Sequence, residues 1–460
     1  MARKLWIAVA VFVISITLRF DPAATYPPYD DLYHAKRIAY STANFPHVLT
    51  FDRDRGLNGA FCPWPPLYDL ACAAVVRAGA PLQWLPPIGF SLFAAAVTFA
   101  LGPVAGIGTA VSPYLISVSK TAAIDHHWIE PALLLLIVFA TARRRPLLLG
   151  LALAAAMFVQ TAFLIAGAIA FAICFRQRWG WISFAIPATA IAVYRIAQPL
   201  GYPDTAWFLG WPHVACFAAA AVACRFGLLF GAIVVAPFLP AVLHGLSFFG
   251  RDEWLRTIIE FQPMFRDVSR IGTDIANLTG GAILIFVIAR RHPTLAAFGI
   301  TYLLLALTSR RFLVPAIPLL VVAGAIAAAE METKTAAMIA IALTLAPPIF
   351  YDIWAFRYPQ PVDREVVEIA QAIGPLPPGR VLAPWWMGHA IDVIGRHPVV
   401  IDNFGSMPDE ALFARANTAL RDRDFAWCLA HDIRYVVAPA ARGLFRRRPG
   451  GDSYIITQLR

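Results

Sequence analysis

The chain has 460 residues, of which 59% are hydrophobic and 14% are charged, and its formal net charge is +10. The apolar share exceeds the ~45–50% of ordinary soluble domains, so the composition excludes a soluble globular protein and indicates a polytopic membrane protein. No basic patch is interleaved with aromatic residues, which argues against a nucleic-acid partner.

Apolar runs along the first 351 residues predict the membrane helices. The runs cover residues 5–18, 86–101, 104–118, 128–142, 147–175, 179–194, 206–222, 226–249, 278–289, 295–307, 312–329 and 336–351. Several are shorter than the ~20 residues that a perpendicular spanning helix needs, so they fix the number of spans only to within one or two. Arg3 and Lys4 precede the first run, and no small-residue cleavage site precedes Arg19 and Asp21. We therefore predict a retained first helix rather than a signal peptide.

Arginines that end several of these runs predict the orientation of the chain. They are Arg143, Arg144, Arg145, Arg176, Arg178, Arg225, Arg290 and Arg291. By the positive-inside rule these ends lie in the cytoplasm, and about 13 spans satisfy every such constraint. This count requires residues 147–175 to fold as a short two-helix hairpin that turns near Gln160 and Thr161. If residues 147–175 cross the membrane only once, the predicted orientation of every later segment is reversed.

The topology places three polar stretches and the end of the chain outside the membrane. The stretches are external loops at residues 20–86, 119–127 and 250–276 of a transmembrane catalytic domain over residues 1–351. Beyond that domain the charge rises, and short β-branched runs alternate with helical segments, which predicts a small extracytoplasmic α/β domain over residues 352–460. We therefore expect a mainly α fold: a polytopic helical membrane protein with a small C-terminal α/β domain.

The second external loop leads into a dense group of ionisable residues. Asp125, His126, His127 and Glu130 stand within six positions of the chain. Ionisable groups near a bilayer are costly to desolvate, and oxygen and nitrogen ligands together suit a divalent metal ion. The cluster therefore predicts a metal or catalytic site, and the alternative is a polar loop at the membrane interface.

The first external loop carries a second acidic pattern. Asp30 and Asp31 open a predicted helix and are followed by His34. An anion is favoured at a helix start, so a capping role accounts for one aspartate but not for two beside a histidine. Further along, the loop contains the segment Trp64-Pro65-Pro66-Leu67-Tyr68-Asp69. Trp and Tyr are common at the membrane interface for interfacial reasons alone.

These motifs resemble those of the catalytic subunit of oligosaccharyltransferases, in an archaeal- or bacterial-like short form. That family has an Asp-x-x-Tyr-His-type motif followed by Trp-x-Pro-Leu-(Phe/Tyr)-Asp, and Asp30 fits its first catalytic aspartate. The segment Asp125-His126-His127 fits the Asp-His-His form of the second motif. Thr257-Ile258-Ile259-Glu260, in the third loop, fits the Thr-Ile-x-Glu motif.

The resemblance implies a role for each matched residue. Asp30 and Glu260 would be catalytic. Asp30, Asp125 and His127 would hold a divalent ion, Mn²⁺ or Mg²⁺, with His126 and Glu130 in support. Arg311, beside Arg310, resembles the family arginine that contacts the donor pyrophosphate; the alternative for both arginines is an anchor at the membrane edge.

The acceptor motif departs from the family pattern. The family reads the hydroxyl of the acceptor sequon with Trp-Trp-Asp-Tyr-Gly, whereas this chain has Trp385-Trp386-Met387-Gly388-His389. The segment is one residue shorter and lacks the carboxylate. Trp385, Trp386 and His389 are predicted to bind the acceptor, with His389 or Asp392 replacing the missing group. The alternatives are an acceptor other than Asn-x-Ser/Thr, or tryptophans that pack the domain onto the membrane.

Taken together, the resemblance implies inverting, metal-dependent transfer of an oligosaccharide from a polyprenyl-pyrophosphate donor to an acceptor asparagine. The expected partners are the membrane, the lipid-linked oligosaccharide and an acceptor polypeptide. The expected location is a prokaryotic inner membrane with the active site outside. A related lipid-sugar-dependent transferase acting on Ser, Thr or a lipid is the alternative. A transporter is the remote alternative, because transporters place their ionisable residues at the bilayer midplane.

Overall fold

A computed structural model describes most of the chain. The described residues are 1–22, 24, 27, 29–177, 179–246, 254–255, 258, 261–357, 364–407, 409–439 and 454–459. Over these residues the protein is mainly helical, with a small amount of sheet, which confirms the predicted mainly α class.

The elements follow one another in this order. The first half contains α1 (Ala2–Arg19), α2 (Asp30–Ala43), β1 (Phe51–Asp52), β2 (Ala60–Phe61), α3 (Leu67–Arg77), α4 (Leu85–Leu101), α5 (Pro103–Val111), α6 (Pro113–Ser117), α7 (Glu130–Ala142), α8 (Pro146–Met157), α9 (Leu164–Cys174), α10 (Gly180–Ile196), α11 (Trp211–Phe226) and α12 (Leu228–Val235). The second half contains α13 (Leu239–Leu246), α14 (Ile271–Leu278), α15 (Gly281–Ile288), α16 (Pro293–Thr308), α17 (Leu313–Glu330), α18 (Lys334–Arg357), α19 (Arg364–Ile373), β3 (Arg380–Leu382), α20 (Gly388–Val393), α21 (Glu410–Asp422), α22 (Phe425–Ala430), β4 (Ile433–Pro439) and β5 (Tyr454–Gln458).

Two compact units divide the chain. The first unit contains Met1–Ala24 and Ala80–Gln360, and the second contains Thr25–Gly79 and Pro361–Arg460. Most of the predicted first external loop therefore belongs to one compact unit with the C-terminal residues. The predicted domain boundary between residues 351 and 352 lies close to the start of the second segment of that unit.

Within the described residues, five helices are long and apolar enough to cross a membrane, and the chain is an integral membrane protein. They are Leu82–Leu101, Leu228–Gly245, Val268–Ile288, Arg310–Glu330 and Lys334–Ile353. Other predicted runs are divided into shorter helices. Residues 104–118 break at Pro113, because proline has no N–H to donate within a helix. Residues 147–175 separate into α8 and α9, with Gln160 and Thr161 between them.

Helix α17 forms the centre of the first unit. Fourteen of its residues are buried, and it packs against α5, α7, α15, α16 and α18. A helix that is apolar all round can be covered by protein or by lipid, and here the neighbouring helices cover it, so α17 is the core element of this unit. A short 3-10 turn, Arg310–Phe312, precedes α17 and carries two arginines.

The second unit contains two small sheets. Strands β1 and β2 pair antiparallel, with Phe51 opposite Phe61. In the other sheet, β4 lies between β3, to which it is parallel, and β5, to which it is antiparallel. Buried apolar residues from α2, α19, α20 and this sheet, including Leu32, form one cluster. The cluster joins the helix that carries Asp30 to the C-terminal elements.

Candidate active site

In the first unit, the predicted metal cluster lies at the start of α7. Asp125 has an extended backbone, a 3-10 turn spans His126–Trp128, and Glu130 begins α7 with proline as its next residue. Proline at the first positions of a helix sacrifices no hydrogen bond, so the sequence itself predicts a helix start here. The side chains of His126, His127 and Glu130 are buried.

The four ionisable side chains of this cluster lie in mutual contact. The carboxylate of Asp125 lies 2.6 Å from His126 Nδ1 and 3.2 Å from His127 Nε2. Glu130 Oε1 lies 3.0 Å from His127 Nδ1 and 3.4 Å from His126 Nε2. The structure therefore brings together the predicted ligands Asp125 and His127, and places His126 and Glu130 beside them.

Arg311 faces this cluster from the turn before α17. Its Nη2 donates a hydrogen bond to Glu130 Oε1 at 3.0 Å, and its Nη1 lies 2.6 Å from His127 Nδ1 and also contacts Nε2 of the same ring. The guanidinium of Arg311 carries a positive charge and has only donors. Arg311 thus adds a positive charge against the carboxylate of Glu130 and the imidazole of His127.

Arg310 points elsewhere. Its guanidinium donates to both carboxylate oxygens of Asp274, with distances of 3.0 and 2.7 Å, and both side chains are buried. The two adjacent arginines predicted for the donor pyrophosphate therefore have different partners. Arg311, rather than Arg310, contacts the Asp-His-Glu cluster.

A cavity of about 20 Å³ opens beside Glu130 and Arg311. This volume can hold about one water molecule. Its polar lining also includes Gln160 and Tyr302, and Gln160 Nε2 lies 3.1 Å from His126 Nε2. Neither residue was predicted as part of the site. Gln160 gave one signal in the sequence, as a polar residue inside a long apolar run.

The donor set fits a divalent metal ion. His126, His127 and Glu130 each offer a ligand atom, and these three atoms lie within 4.8 Å of one another. Two imidazoles and a carboxylate suit first-row divalent ions, whose bonds to such ligands are ~2.0–2.2 Å long. The first unit therefore contains a group of residues that could hold a metal ion.

In the second unit, Asp30 begins α2 and lies beside α20. Asp30 Oδ1 is 3.6 Å from Nε2 of His389, the residue predicted from the acceptor segment. The His389 ring is fully buried, stacks on Tyr33 at 4.8 Å and meets the edge of Phe404 at 4.9 Å. Burial lowers the pKa of His389 to about 3, so the imidazole is neutral at physiological pH. A neutral imidazole keeps one N–H that it can donate.

Helix α2 is fixed by the Trp-Pro-Pro segment of the same loop. His34 Nδ1 lies 2.6 Å from Asp69 Oδ1, and Arg37 Nη1 lies 2.6 Å from Asp69 Oδ2. The indole of Trp64 stacks on His34 with ring centroids 3.9 Å apart. All of these charged groups are buried. Asp69 and Trp64 therefore hold the helix that presents Asp30, a role beyond the interfacial one expected of the segment.

The acceptor segment packs partly into the core. Trp385–Met387 form a 3-10 turn in which Trp386 and Met387 are buried, whereas Trp385 is half-buried. Asp392, the other predicted replacement for the missing carboxylate, is bound to Lys36 Nζ at 2.8 Å. Burial raises the pKa of Asp392 to about 7, even though the ammonium of Lys36 opposes that shift. Of the two predicted replacements, His389 is the one that lies near Asp30.

Solved structures provide the comparison. No protein-family model matches the chain, and no curated protein matches it. The archaeal oligosaccharyltransferase AglB from Archaeoglobus fulgidus, in complex with an inhibitory peptide and a dolichol-phosphate, superposes with a TM-score of 0.75 at 13% identity. The match covers 95% of this chain and 69% of that chain. The chain has the fold of an archaeal oligosaccharyltransferase.

Two further structures from the same organism agree. The oligosaccharyltransferase tethered to an acceptor peptide with the NVT sequon gives a TM-score of 0.71 at 15% identity, covering 95% of this chain and 69% of that one. The complex with Zn and sulfate gives 0.66 at 14% identity, covering 94% and 68%. The resemblance drawn from the sequence motifs is thus confirmed for the fold.

The oligosaccharyltransferase fold leaves two predictions about the site untested. Thr257, Ile259 and Glu260 of the third-loop motif lie outside the described residues. Asp30 and Asp125 belong to different compact units. The shared ligation of one ion by Asp30, Asp125 and His127 therefore stays a prediction.

Proposed function

We propose that this protein is a metal-dependent, inverting oligosaccharyltransferase that moves a glycan from a polyprenyl-pyrophosphate to an acceptor asparagine. The observation that carries the proposal is the cluster of Asp125 with the buried His127 and Glu130, which faces Arg311 in a chain with the oligosaccharyltransferase fold. Structural neighbours were solved with dolichol-phosphate and with an acceptor peptide. We extend those two classes of partner to this chain.

The donor side of the reaction requires stabilisation of a leaving pyrophosphate. Asp30, Asp125 and His127 would hold Mn²⁺ or Mg²⁺, and oxygen ligands with one imidazole favour Mn²⁺ somewhat. A bound ion of this kind neutralises charge that builds on the departing phosphate oxygens. Arg311 supplies the planar fork of donors that matches phosphate oxygens. Because Arg311 contacts the cluster of Asp125, His127 and Glu130 whereas Arg310 is bound to Asp274, we assign the pyrophosphate contact to Arg311.

The acceptor side requires activation of a poor nucleophile. Resonance gives the amide C–N bond partial double-bond character and withdraws the nitrogen lone pair. Asp30 and Glu260 would each accept one N–H of the acceptor carboxamide and hold it out of its conjugated geometry. The nitrogen would then attack the anomeric carbon on the face opposite the pyrophosphate, the bond from that carbon to the pyrophosphate oxygen would break, and one of the two carboxylates would accept the proton that the nitrogen loses. The attack from that face inverts the carbon.

Recognition of the acceptor hydroxyl falls to the C-terminal segment. We propose that Trp385 and Trp386 form the wall of a hydroxyl pocket and that His389 takes the place of the family carboxylate. His389 is neutral, buried and 3.6 Å from Asp30 Oδ1. A hydroxyl that finds no partner in such a pocket costs about 1–3 kcal/mol, so this substitution sets the strength of the sequon preference.

One observation favours a second candidate. Met387 occupies the position after the tryptophan pair, where the family has aspartate, and its side chain is buried in the core cluster. A site without that carboxylate suits an acceptor without the sequon hydroxyl. A related transferase that acts on Ser, Thr or a lipid is therefore the alternative.

The proposed topology follows from the basic ends of the apolar runs. We propose about 13 spans in a prokaryotic cell membrane, with the site on the extracytoplasmic face. Residues 1–351 would form the transmembrane catalytic domain with its external loops at 20–86, 119–127 and 250–276. Residues 352–460 would form the small external domain.

A transfer assay tests the proposal. Purified protein is incubated with a lipid-pyrophosphate glycan, Mn²⁺ and fluorescent peptides that contain Asn-x-Thr, Asn-x-Ala or Gln-x-Thr. We expect a mobility shift for the Asn-x-Thr peptide, loss of that shift with EDTA, and recovery when Mn²⁺ is restored. Asp30→Ala should abolish transfer, whereas Asp432→Ala, at an exposed position of the second unit, should not.

The outcomes separate the candidates. Transfer only to peptides or lipids without asparagine would favour the second candidate and refute N-glycosylation. No transfer from any lipid-linked donor would contradict both. Undiminished transfer by Asp30→Ala would refute the catalytic assignment of that residue.

A further inference from the structure

We propose that Asp274 and Arg310 are positioning residues that anchor residues 262–265 to the turn that carries Arg311. The proposal rests on the proposed function, and it assigns a role to a buried ion pair that the reaction itself does not use. Residues 262–265 follow the Thr-Ile-Ile-Glu motif in the sequence, with Phe261 between them. The pair would therefore set where the chain resumes after that motif.

The ion pair is buried and makes two parallel hydrogen bonds. Arg310 Nε and Nη2 donate to the two oxygens of Asp274 at 3.0 and 2.7 Å. Bidentate pairs of this kind fix direction as well as distance, because both groups are planar. A buried pair is weak evidence for stability, since desolvation offsets most of the attraction. In this protein the ion pair fixes the relative positions of the two segments that it joins.

The same carboxylate also holds the loop. Asp274 Oδ2 accepts a hydrogen bond from the backbone N–H of Phe265 at 2.9 Å. Two backbone bonds run alongside: Arg310 N donates to Gln262 O at 3.1 Å, and Met264 N donates to Leu307 O at 3.2 Å. Three separate bonds thus attach residues 262–265 to Asp274 of α14, to the end of α16 and to the following turn.

Phe265 provides an independent indication. Its φ of +62° lies in the left-handed region, which a bulky residue rarely adopts. Such a conformation costs ~1–3 kcal/mol and persists only where surrounding bonds impose it. The imposing bond at this residue is the one from its own N–H to Asp274. The strained backbone of Phe265 and the ion pair therefore share the carboxylate of Asp274.

The anchor distinguishes the two sides of the proposed site. Arg311 has its own bond to Glu130 at 3.0 Å, so loss of the anchor leaves the donor side held. Residues 262–265 lose the carboxylate that fixes Phe265. These residues follow Glu260, which is proposed to bind the acceptor carboxamide, so their displacement should weaken binding of the acceptor before binding of the donor.

The test replaces both charges at once. Asp274→Asn with Arg310→Gln keeps a hydrogen-bonding pair and leaves no unpaired buried charge. The matched control is Arg195→Gln with Asp204→Asn, because that pair makes the same bidentate contact, at 3.0 and 2.9 Å, in the same unit. Transfer kinetics are measured against acceptor peptide and against lipid-pyrophosphate glycan, with thermal unfolding as the folding check.

We expect the KM for the acceptor peptide to rise about tenfold or more in the Asp274/Arg310 variant, with the KM for the donor changed less than about twofold. Limited trypsin digestion should cut faster after Arg266, which is exposed and directly follows the anchored segment. The control pair should match the wild type in both assays. A loss of kcat with unchanged peptide KM, or an unchanged cleavage rate, would overturn the proposal.

The digestion assay and the kinetic assay test different claims. Digestion needs no substrate, so it still tests the anchor if the wild-type protein transfers no glycan and the proposed function falls. If the double variant does not fold, Arg310→Lys replaces it. That variant keeps the charge and removes the fork, and faster cleavage after Arg266 is again the expected result.

Discussion

Arg310 and Arg311 are adjacent in the chain, but their side chains have different partners. Successive side chains in a 3-10 turn point about 120° apart, so neighbours on the turn face different surroundings. Arg311 meets Glu130 and His127, whereas Arg310 meets Asp274. Arg311 therefore contacts the Asp-His-Glu cluster, whereas Arg310 helps to anchor residues 262–265.

Arg311→Gln tests the donor contact at this scale. The amide cannot supply a charged fork, so we expect the KM for the lipid-pyrophosphate donor to rise about tenfold to a hundredfold, since charge-assisted bonds contribute ~1.5–3 kcal/mol. The peptide KM should change little. Arg143→Gln, an exposed arginine after α7, is the control. An unchanged donor KM would remove Arg311 from the pyrophosphate site.

Helix α20 shows how an element positions a site residue. Gly388 begins the helix, and a Cβ there would press on Asp402 Cα and lie 2.7 Å from the carbonyl oxygen of Ile401. This close approach brings α20 against residues 401–402 and places His389 beside Asp30. On the other side, Lys36 of α2 binds Asp392 of α20. Helices α2 and α20 are thus fixed to each other near the predicted acceptor site.

Gly388→Ala should therefore disturb the site through backbone displacement. Neighbours that are backbone atoms cannot give way, so we expect a loss of about 1–3 kcal/mol in stability and a strong loss of peptide transfer. Gly374→Ala is the matched control, because its added Cβ would have only ordinary contacts of 3.6–3.7 Å. Thermal unfolding and the transfer assay report the two effects. If both variants behave alike, the packing argument for α20 is wrong.

At the scale of the molecule, the second unit is assembled from segments far apart in the chain. Lys36 and Asp392 are 356 positions apart, and Arg55 and Asp402 are 347 apart. Arg55 and Asp402 are both fully or nearly buried. Burial raises the pKa of Asp402, but the Arg55 guanidinium more than offsets this and holds the pKa below its ordinary value. Ionised Asp402 therefore stabilises this assembly.

The pH dependence follows from that direction. A carboxyl with a lowered pKa contributes stability above its ordinary value of 3.8 and loses it as the pH falls through the lower folded-state value. Asp402→Asn should cost about 3–5 kcal/mol at pH 7, because it leaves Arg55 buried without its anion. The difference in unfolding midpoint from the wild type should shrink below about pH 4. The exposed control Asp422→Asn should show little change, and a difference that persists in acid would refute the assignment.

Short sequence motifs identified the part of the site that could be predicted from the sequence. Asp30, Asp125 and His127 stand in short motifs, and the start of α7 is encoded by the proline after Glu130. Asp274 gave no such signal, because its partner Arg310 lies 36 positions away and an isolated carboxylate in a polar loop is commonplace. Lys36 was missed for the same reason. Long-range pairs are fixed by tertiary structure, which no local pattern reveals.

The fold was predictable at the level of class and less so in detail. Apolar composition identified a helical membrane protein, and the polar Gln160 marked the break between α8 and α9. The break between α5 and α6 was missed, although Pro113 encodes it. The union of residues 25–79 with the C-terminal segments was also missed, because composition alone assigns a loop to the helices that flank it.

The short apolar helices have a consequence for the surrounding lipid. Six of them in the described residues have 10–17 residues, so even the longest rises only about 26 Å along its axis. The hydrocarbon core of a typical bilayer is ~30 Å thick. Hydrophobic mismatch of this sign is relieved by thinning the bilayer around the protein. Where one of these short helices crosses the membrane, we therefore expect a bilayer thinner than the bulk and a preference for lipids with shorter acyl chains.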